Sequence, residues 1–162
     1  CVNFLSRLEN PPNRSLAMKH SFGVLKPDCV RRGLVGKSFG LVESKGLKVV
    51  FSKQVRFSEK DVEHLYVRCQ QSPFFDNLIR FMTSGDVVIY ITESVNGDCA
   101  IEVLNDVTGH TNPSLADPGT LRSLGTDVCE NIAHSTATGE TFWYEVEYFL
   151  EEDEIKKLKL GQ

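Results

Sequence analysis

From residue 19 onward the chain alternates short apolar runs with amphipathic stretches. His20–Lys26 reads as a short buried strand that stops at Pro27-Asp28. Over Gly33–Lys45, Leu34, Phe39, Leu41 and Val42 can share one face, which predicts a helix ended by Gly46. Leu47–Phe57, rich in Val and Phe, is a second strand. Ser58 with Asp61 three residues on has the spacing of a capping box, and the helix it opens carries the stripe Val62, Leu65, Tyr66, Cys69. Pro73 opens a helical stretch through Met82 with Phe75, Leu78, Ile79 and Met82 in phase. Asp86–Glu93 is the clearest buried strand, and Ala100, Val103, Leu104 and Val107 recur at helical spacing. A loop follows from Gly109 to about Asp127, punctuated by Pro113, Pro118 and Gly119, and loops that long in a compact domain are usually functional. Trp143–Leu150 reads as the last strand. Glu151–Lys159 reads as a closing helix with acids first and lysines last, the order the helix dipole favours.

The order β-α-β-α-α-β-α-loop-β-α predicts an α+β fold, a ferredoxin-like sandwich: a four-stranded antiparallel sheet with helices packed on it, expected on one face. Residues 1–18, broken by Asn10-Pro11-Pro12-Asn13, read as an irregular N-terminal extension, and 19–162 as one domain.

With 41% apolar and 25% charged residues, the composition suits a packed core rather than a disordered chain. No apolar run approaches the roughly 18–20 residues of a membrane helix, and the first residues lack the succession of a secretory signal. Cys1, where Met would stand, reads as a remnant or as a start with sequence missing upstream. The net charge of −4 hides an uneven distribution: residues 1–60 hold 12 basic against 4 acidic side chains, and 61–162 hold 6 against 18. That balance excludes a generic nucleic-acid binder, so a polyanion site must use a few individually placed cations. The cysteines, five in all, show no CxxC spacing, which disfavours a zinc site or disulfide scaffold and points to a reducing, cytoplasmic setting. Asn13-Arg14-Ser15 matches a glycosylation sequon that has no secretory context.

Gly33-Leu34-Val35-Gly36-Lys37-Ser38 imitates a phosphate loop, but the first glycine such a loop requires is Arg31, and the segment starts an amphipathic helix. The long loop is more informative. Arg122 on a constrained loop can fork onto phosphate oxygens, and Thr111 and Asn131 add neutral donors. His134 follows, and Glu145 begins the expected last strand. A carboxylate that accepts one ring N–H leaves the other nitrogen free as a nucleophile. On residue types alone, a merely hydrogen-bonded loop histidine stands beside that reading.

Several ordered motifs then resemble the nucleoside diphosphate kinase family over roughly residues 20–150. They are Leu25-Lys26-Pro27-Asp28 with Arg32-Gly33-Leu34-Val35-Gly36, Ser72-Pro73-Phe74-Phe75, Ser84-Gly85-Asp86-Val87-Val88, Gly109-His110-Thr111-Asn112-Pro113, Pro118-Gly119-Thr120-Leu121-Arg122, and Asn131-Ile132-Ala133-His134-Ser135. The resemblance implies a phosphotransferase in which His134 is transiently phosphorylated and Glu145 orients its ring. By the same resemblance Lys26, Tyr66, Thr111, Arg122 and Asn131 position phosphate and sugar, Phe74 stacks on the base, and Leu78 and Val128 line the cleft. It further implies nucleoside di- and triphosphates as partners, Mg²⁺ carried by the nucleotide rather than by a protein metal site, and a homo-oligomer, a hexamer or tetramer built from dimers. Thr136 stands where the family usually has a Ser that hydrogen-bonds the carboxylate.

The chain departs from the family at Cys29 (Gly), Ser72 (Arg), Asp86 (Pro) and Ser135-Thr136-Ala137 (Gly-Ser-Asp), and the segment from Arg122 to His134 is one residue shorter. The family's second phosphate-binding Arg falls at Asn105, where loss of a charge-assisted contact costs on the order of 1.5–3 kcal/mol. Asn105 can still donate a neutral hydrogen bond. A catalytically weakened nucleotide-binding module of the same fold is the alternative this departure leaves open.

Overall fold

The computed structural model describes residues 18–160. All of the expected extension except Met18 lies outside them, as does the glycosylation sequon. Four strands, β1 (His20–Leu25), β2 (Leu47–Arg56), β3 (Asp86–Ser94) and β4 (Ala133–Ser135), form one sheet in the order β2-β3-β1-β4. Every neighbouring pair is antiparallel. The helices are α1 (Pro27–Arg31), α2 (Val35–Glu43), α3 (Glu59–Leu65), α4 (Phe75–Met82), α5 (Ala100–Thr108), α6 (Gly139–Phe149) and α7 (Glu152–Lys157). The four-stranded antiparallel α+β sandwich is therefore as expected, with two differences.

First, helices cover both faces of the sheet, not one. The central strands β1 and β3 are buried on both sides, so each face gathers its own core. On one face Phe22, Val24, Ile89 and Ile91 pack with Val62 of α3, Leu78 and Met82 of α4, and Phe142 and Val146 of α6. On the other, Leu25, Val88 and Tyr90 pack with Cys29 of α1, Val42 of α2, and Leu104 and Val107 of α5. Full burial of each such side chain contributes about 1.5–3 kcal/mol.

Second, the last strand is not Trp143–Leu150. That segment is helical, within α6, and the fourth strand is the three-residue Ala133–Ser135. The run Trp143-Tyr144-Glu145-Val146 is rich in strand-forming types, but a capping box decides the matter. Thr138 Oγ1 accepts from Thr141 N, and Thr141 Oγ1 accepts from Thr138 N. Phe142 and Val146, one helical repeat apart, are then both buried. Three residues are too few for β4 to show any periodicity.

Other helices begin and end near the expected places. The Ser58–Asp61 box caps α3 from both sides. The expected helix over Gly33–Lys45 is α2, and the short α1 precedes it at the Pro27-Asp28 step. The phosphate-loop imitation lies at the start of α2, where Ser38 is buried and its hydroxyl meets Cys29 Sγ at 3.4 Å. The long loop holds two 3-10 turns, Pro113–Leu115 and Arg122–Leu124. It is pinned between them by buried Leu121, whose N–H donates to Val107 O at 2.9 Å. Gly109 ends α5 at φ +87°, and a Cβ there would lie 2.6 Å from Thr120 Oγ1, so glycine is required at this entry to the loop.

Candidate active site

His134 sits in the middle of β4, opposite Val24 of β1. Directly paired residues share a face, so its ring points to the side of the sheet covered by α3 and α6. There its Nε2–H donates to Glu145 Oε2 at 2.8 Å. Glu145 projects from α6 and is only 4% exposed. A carboxylate only accepts, so this bond fixes the proton on Nε2 and leaves the Nδ1 lone pair free. The His134 side chain keeps 17% of its surface open.

Two cations stand beside this ring. Lys26, the residue after β1, is 3% exposed and donates to Asn131 Oδ1 at 2.7 Å and to Cys129 O at 3.2 Å. Arg122, on the second 3-10 turn, donates to Ala133 O at 3.1 Å, Gly109 O at 3.0 Å and Thr111 Oγ1 at 3.5 Å. Asn131 Nδ2 donates to Thr111 O and Val128 O, tying the loop to the strand. All these acceptors are neutral. Burial, and then the neighbouring Arg122, push the Lys26 ammonium down to about 8. Burial likewise pulls the Arg122 guanidinium down from its usual value. A buried and a half-buried cation, both held by neutral oxygens, favour an anion beside them.

The backbone leading to His134 is strained. Ile132 has φ +76°, and Ala133 N donates to Asn131 O at 2.9 Å, forming the rare γ-turn of positive φ. Two bonds from the β1–α1 junction hold it: Lys26 N donates to Ile132 O at 2.8 Å, and Ile132 N donates to Asp28 Oδ2 at 3.1 Å. Burial pushes the Asp28 carboxyl up, and the backbone N–H groups oppose that shift. Asp28 and Ile132 are positioning residues that the sequence reading quoted inside motifs without giving them a role. The available signal was an acid directly after a strand-ending Lys-Pro.

The remaining expected residues divide by location. The Tyr66 ring meets the His134 ring edge-on at 5.6 Å, and Lys26 Nζ lies 5.6 Å from its centroid. Burial pushes its phenol upward, so Tyr66 Oη stays protonated, and it has no hydrogen-bond partner among the described residues. Thr111 is exposed, as are Phe74 (45%) and Val128 (54%). Leu78, at 4%, belongs to the core beneath α4. Asn105 Oδ1 accepts from Ser135 Oγ at 2.7 Å, a pairing on the other sheet face, because Ser135 alternates with His134. Thr136 does not hydrogen-bond the carboxylate. Its N–H is fixed to Phe22 O, and its buried hydroxyl finds no partner among the described residues. Glu145 works from a helix and not from the expected last strand. Among the described residues no three His, Cys, Asp or Glu side chains gather to hold a metal ion.

A family model described as nucleoside diphosphate kinase matches residues 19–155. The chain is 39% identical over 139 residues to the nucleoside diphosphate kinase of Archaeoglobus fulgidus, covering 85% of this chain and 90% of that protein. It is 38% identical to that of Ignicoccus hospitalis, covering 85% and 92%. Among solved structures it is similar to the Aquifex aeolicus nucleoside diphosphate kinase, with TM-score 0.78 and 28% identity over 85% of this chain and 99% of that one. A halophilic nucleoside diphosphate kinase from Halobacterium salinarum, solved in complex with CDP, gives TM-score 0.77 and 33% identity over 85% and 90%.

Proposed function

The chain belongs to the nucleoside diphosphate kinase family and transfers phosphate between nucleotides, and we propose that it does so in two half-reactions through a phosphohistidine on His134. Nδ1 attacks the γ-phosphorus of a nucleoside triphosphate in line with the leaving oxygen. The N–P bond forms, the bond to the β-phosphate oxygen breaks, and the diphosphate departs. The ring gains positive charge, which the Glu145 carboxylate stabilises through the Nε2–H bond. A second diphosphate binds in the same place, its terminal oxygen attacks phosphorus, and Nδ1 is released. The observation that supports this reading most is the free Nδ1 near buried Lys26 and half-buried Arg122, two cations bonded to neutral oxygens.

In this reading Lys26 and Arg122 neutralise the transferred phosphate, while Tyr66 Oη, Thr111 and Asn131 supply neutral contacts to phosphate and sugar. Phe74 offers an exposed ring to the base, Val128 is a second exposed apolar side chain for the cleft, and Leu78 supports α4 from the core. A ring face reads stacking and not base edges, so purine and pyrimidine nucleotides are both accepted (ATP, GTP, ADP, GDP and others). The CDP held by the Halobacterium salinarum relative supports that breadth. Mg²⁺ arrives on the nucleotide phosphates as part of the substrate and spreads their charge. Asn105 is committed to Ser135 and contributes at most a neutral dipole. We further read the protein as a homo-oligomer built from dimers that acts in the cytoplasm, a location supported by Cys29, Cys69, Cys99 and Cys129 being free.

The test is phosphate exchange from ATP to GDP with Mg²⁺. Wild type produces GTP and ADP, and His134→Ala produces neither. Exchange that persists in His134→Ala would contradict the proposal.

A further inference from the structure

Outside the site just described, one cluster ties together the two elements that flank His134. Helix α3 leads directly into Tyr66, its C-cap, and α6 carries Glu145. His64 of α3 is stacked between two tyrosines of α6. Its ring centroid lies 4.0 Å from that of Tyr144, with planes 7° apart, and 3.8 Å from that of Tyr148, with planes 13° apart. His64 Nε2–H donates to Tyr144 O at 3.0 Å. Tyr148 Oη donates to Asp61 Oδ1 at 2.9 Å, and the other oxygen of Asp61 closes the α3 capping box. One imidazole thus makes two ring stacks and a hydrogen bond across the α3–α6 gap. It lies one residue from buried Leu65 and two from Tyr66.

We propose that His64 is a positioning residue that bolts the α3–α4 arm, with Tyr66 and Phe74, onto α6 and so sets the width of the nucleotide cleft. This deepens the function proposed above and rests on it. The arm shares an apolar core with Phe142 and Val146 of α6 through Val62, Leu65, Phe75 and Leu78, and that core lies on the sheet side of α6. The tyrosine–histidine–tyrosine stack, beside the Tyr148–Asp61 bond, adds a tie on the outer side of α6 that the core does not reach. Glu145, Lys26 and Arg122 do not depend on it, because α6 is anchored by buried Phe142 and Val146 and the cations by the sheet edge and the loop. Loosening the bolt therefore weakens the grip on a whole nucleotide and leaves the nucleophile intact.

The experiment compares two phosphoryl donors on wild type, His64→Ala and His64→Phe: MgATP, which uses the arm, and phosphoramidate, a donor without base or sugar. Phosphorylation of His134 is followed by mass spectrometry, and folding by circular dichroism. His64→Ala is expected to raise KM for MgATP about 10-fold, the scale of two lost aromatic stacks. Its maximal rate and its phosphoramidate rate stay within about twofold of wild type. His64→Phe, which keeps the stack and loses only the hydrogen bond, restores most of the affinity. The inference is overturned if His64→Ala leaves KM unchanged, if it lowers both donors' rates in proportion, or if His64→Phe behaves like His64→Ala. Wild type that neither donor phosphorylates would instead overturn the phosphohistidine itself.

Discussion

In its proposed role Lys26 is a binding charge kept where it opposes folding. Its ammonium is buried against Arg122, and its pKa falls from the ordinary 10.5 to about 8. The native state therefore binds fewer protons than the unfolded chain between those values, and the cost is fully present below about pH 8 and relieved as pH rises towards 10.5. The stability of wild type relative to Lys26→Met, measured by urea unfolding, is expected to improve by on the order of 3 kcal/mol between pH 8 and 10.5. Over the same range kcat/KM for adenine nucleotides falls with an apparent pKa near 8, because the free enzyme loses the charge that receives the phosphate. A flat stability difference, or a basic limb unchanged in Lys26→Arg, would contradict this role. Residue types made Arg122, Thr111, Asn131 and His134 legible as candidates, and the family resemblance added Lys26 and ordered them. The support beneath them was not legible. Nothing local in Asn131-Ile132-Ala133 announces a positive φ at a β-branched residue, because that conformation is imposed by Asp28 and Lys26 from more than 100 positions away.

At the scale of elements, α6 decides the geometry of the nucleophile. Glu145 reaches His134 because the Thr138–Thr141 box starts a helix that turns that side chain inward between Phe142 and Val146. Thr138→Ala removes the cap and is expected to cost about 1 kcal/mol of stability by chemical denaturation. The maximal exchange rate changes little, since the buried positions still hold the second and third turns. A drop of 10-fold or more in rate at unchanged stability would show that the cap aims Glu145 directly. The strand expected over Trp143–Leu150 failed here because intrinsic preference and burial disagree, and burial wins. The elements read correctly, β3, α3 and α5 among them, carry long periodic stripes or paired caps. β4 carries neither, although it holds the central residue of the site.

At the scale of the whole molecule, the sheet brings together at its β4 edge pieces that are remote in sequence: the end of β1, the end of α3, the long loop and α6. Antiparallel pairing at Val24–His134 sets the ring on the face that α3 and α6 cover, while β1 supplies Lys26 at the same edge. Helices on both faces bury all of β1 and most of β3, so that edge is built on a rigid support. The resulting centre has one open ring nitrogen and two cations, and in the proposed mechanism it serves donor and acceptor in turn. The most direct measurement is incubation with γ-labelled ATP and Mg²⁺ in the absence of an acceptor. Wild type should acquire up to one label per chain, labile to acid, stable to alkali and discharged by GDP to form labelled GTP, whereas His134→Ala should acquire none. Exchange from ATP to GDP without any such labelled intermediate would contradict the account.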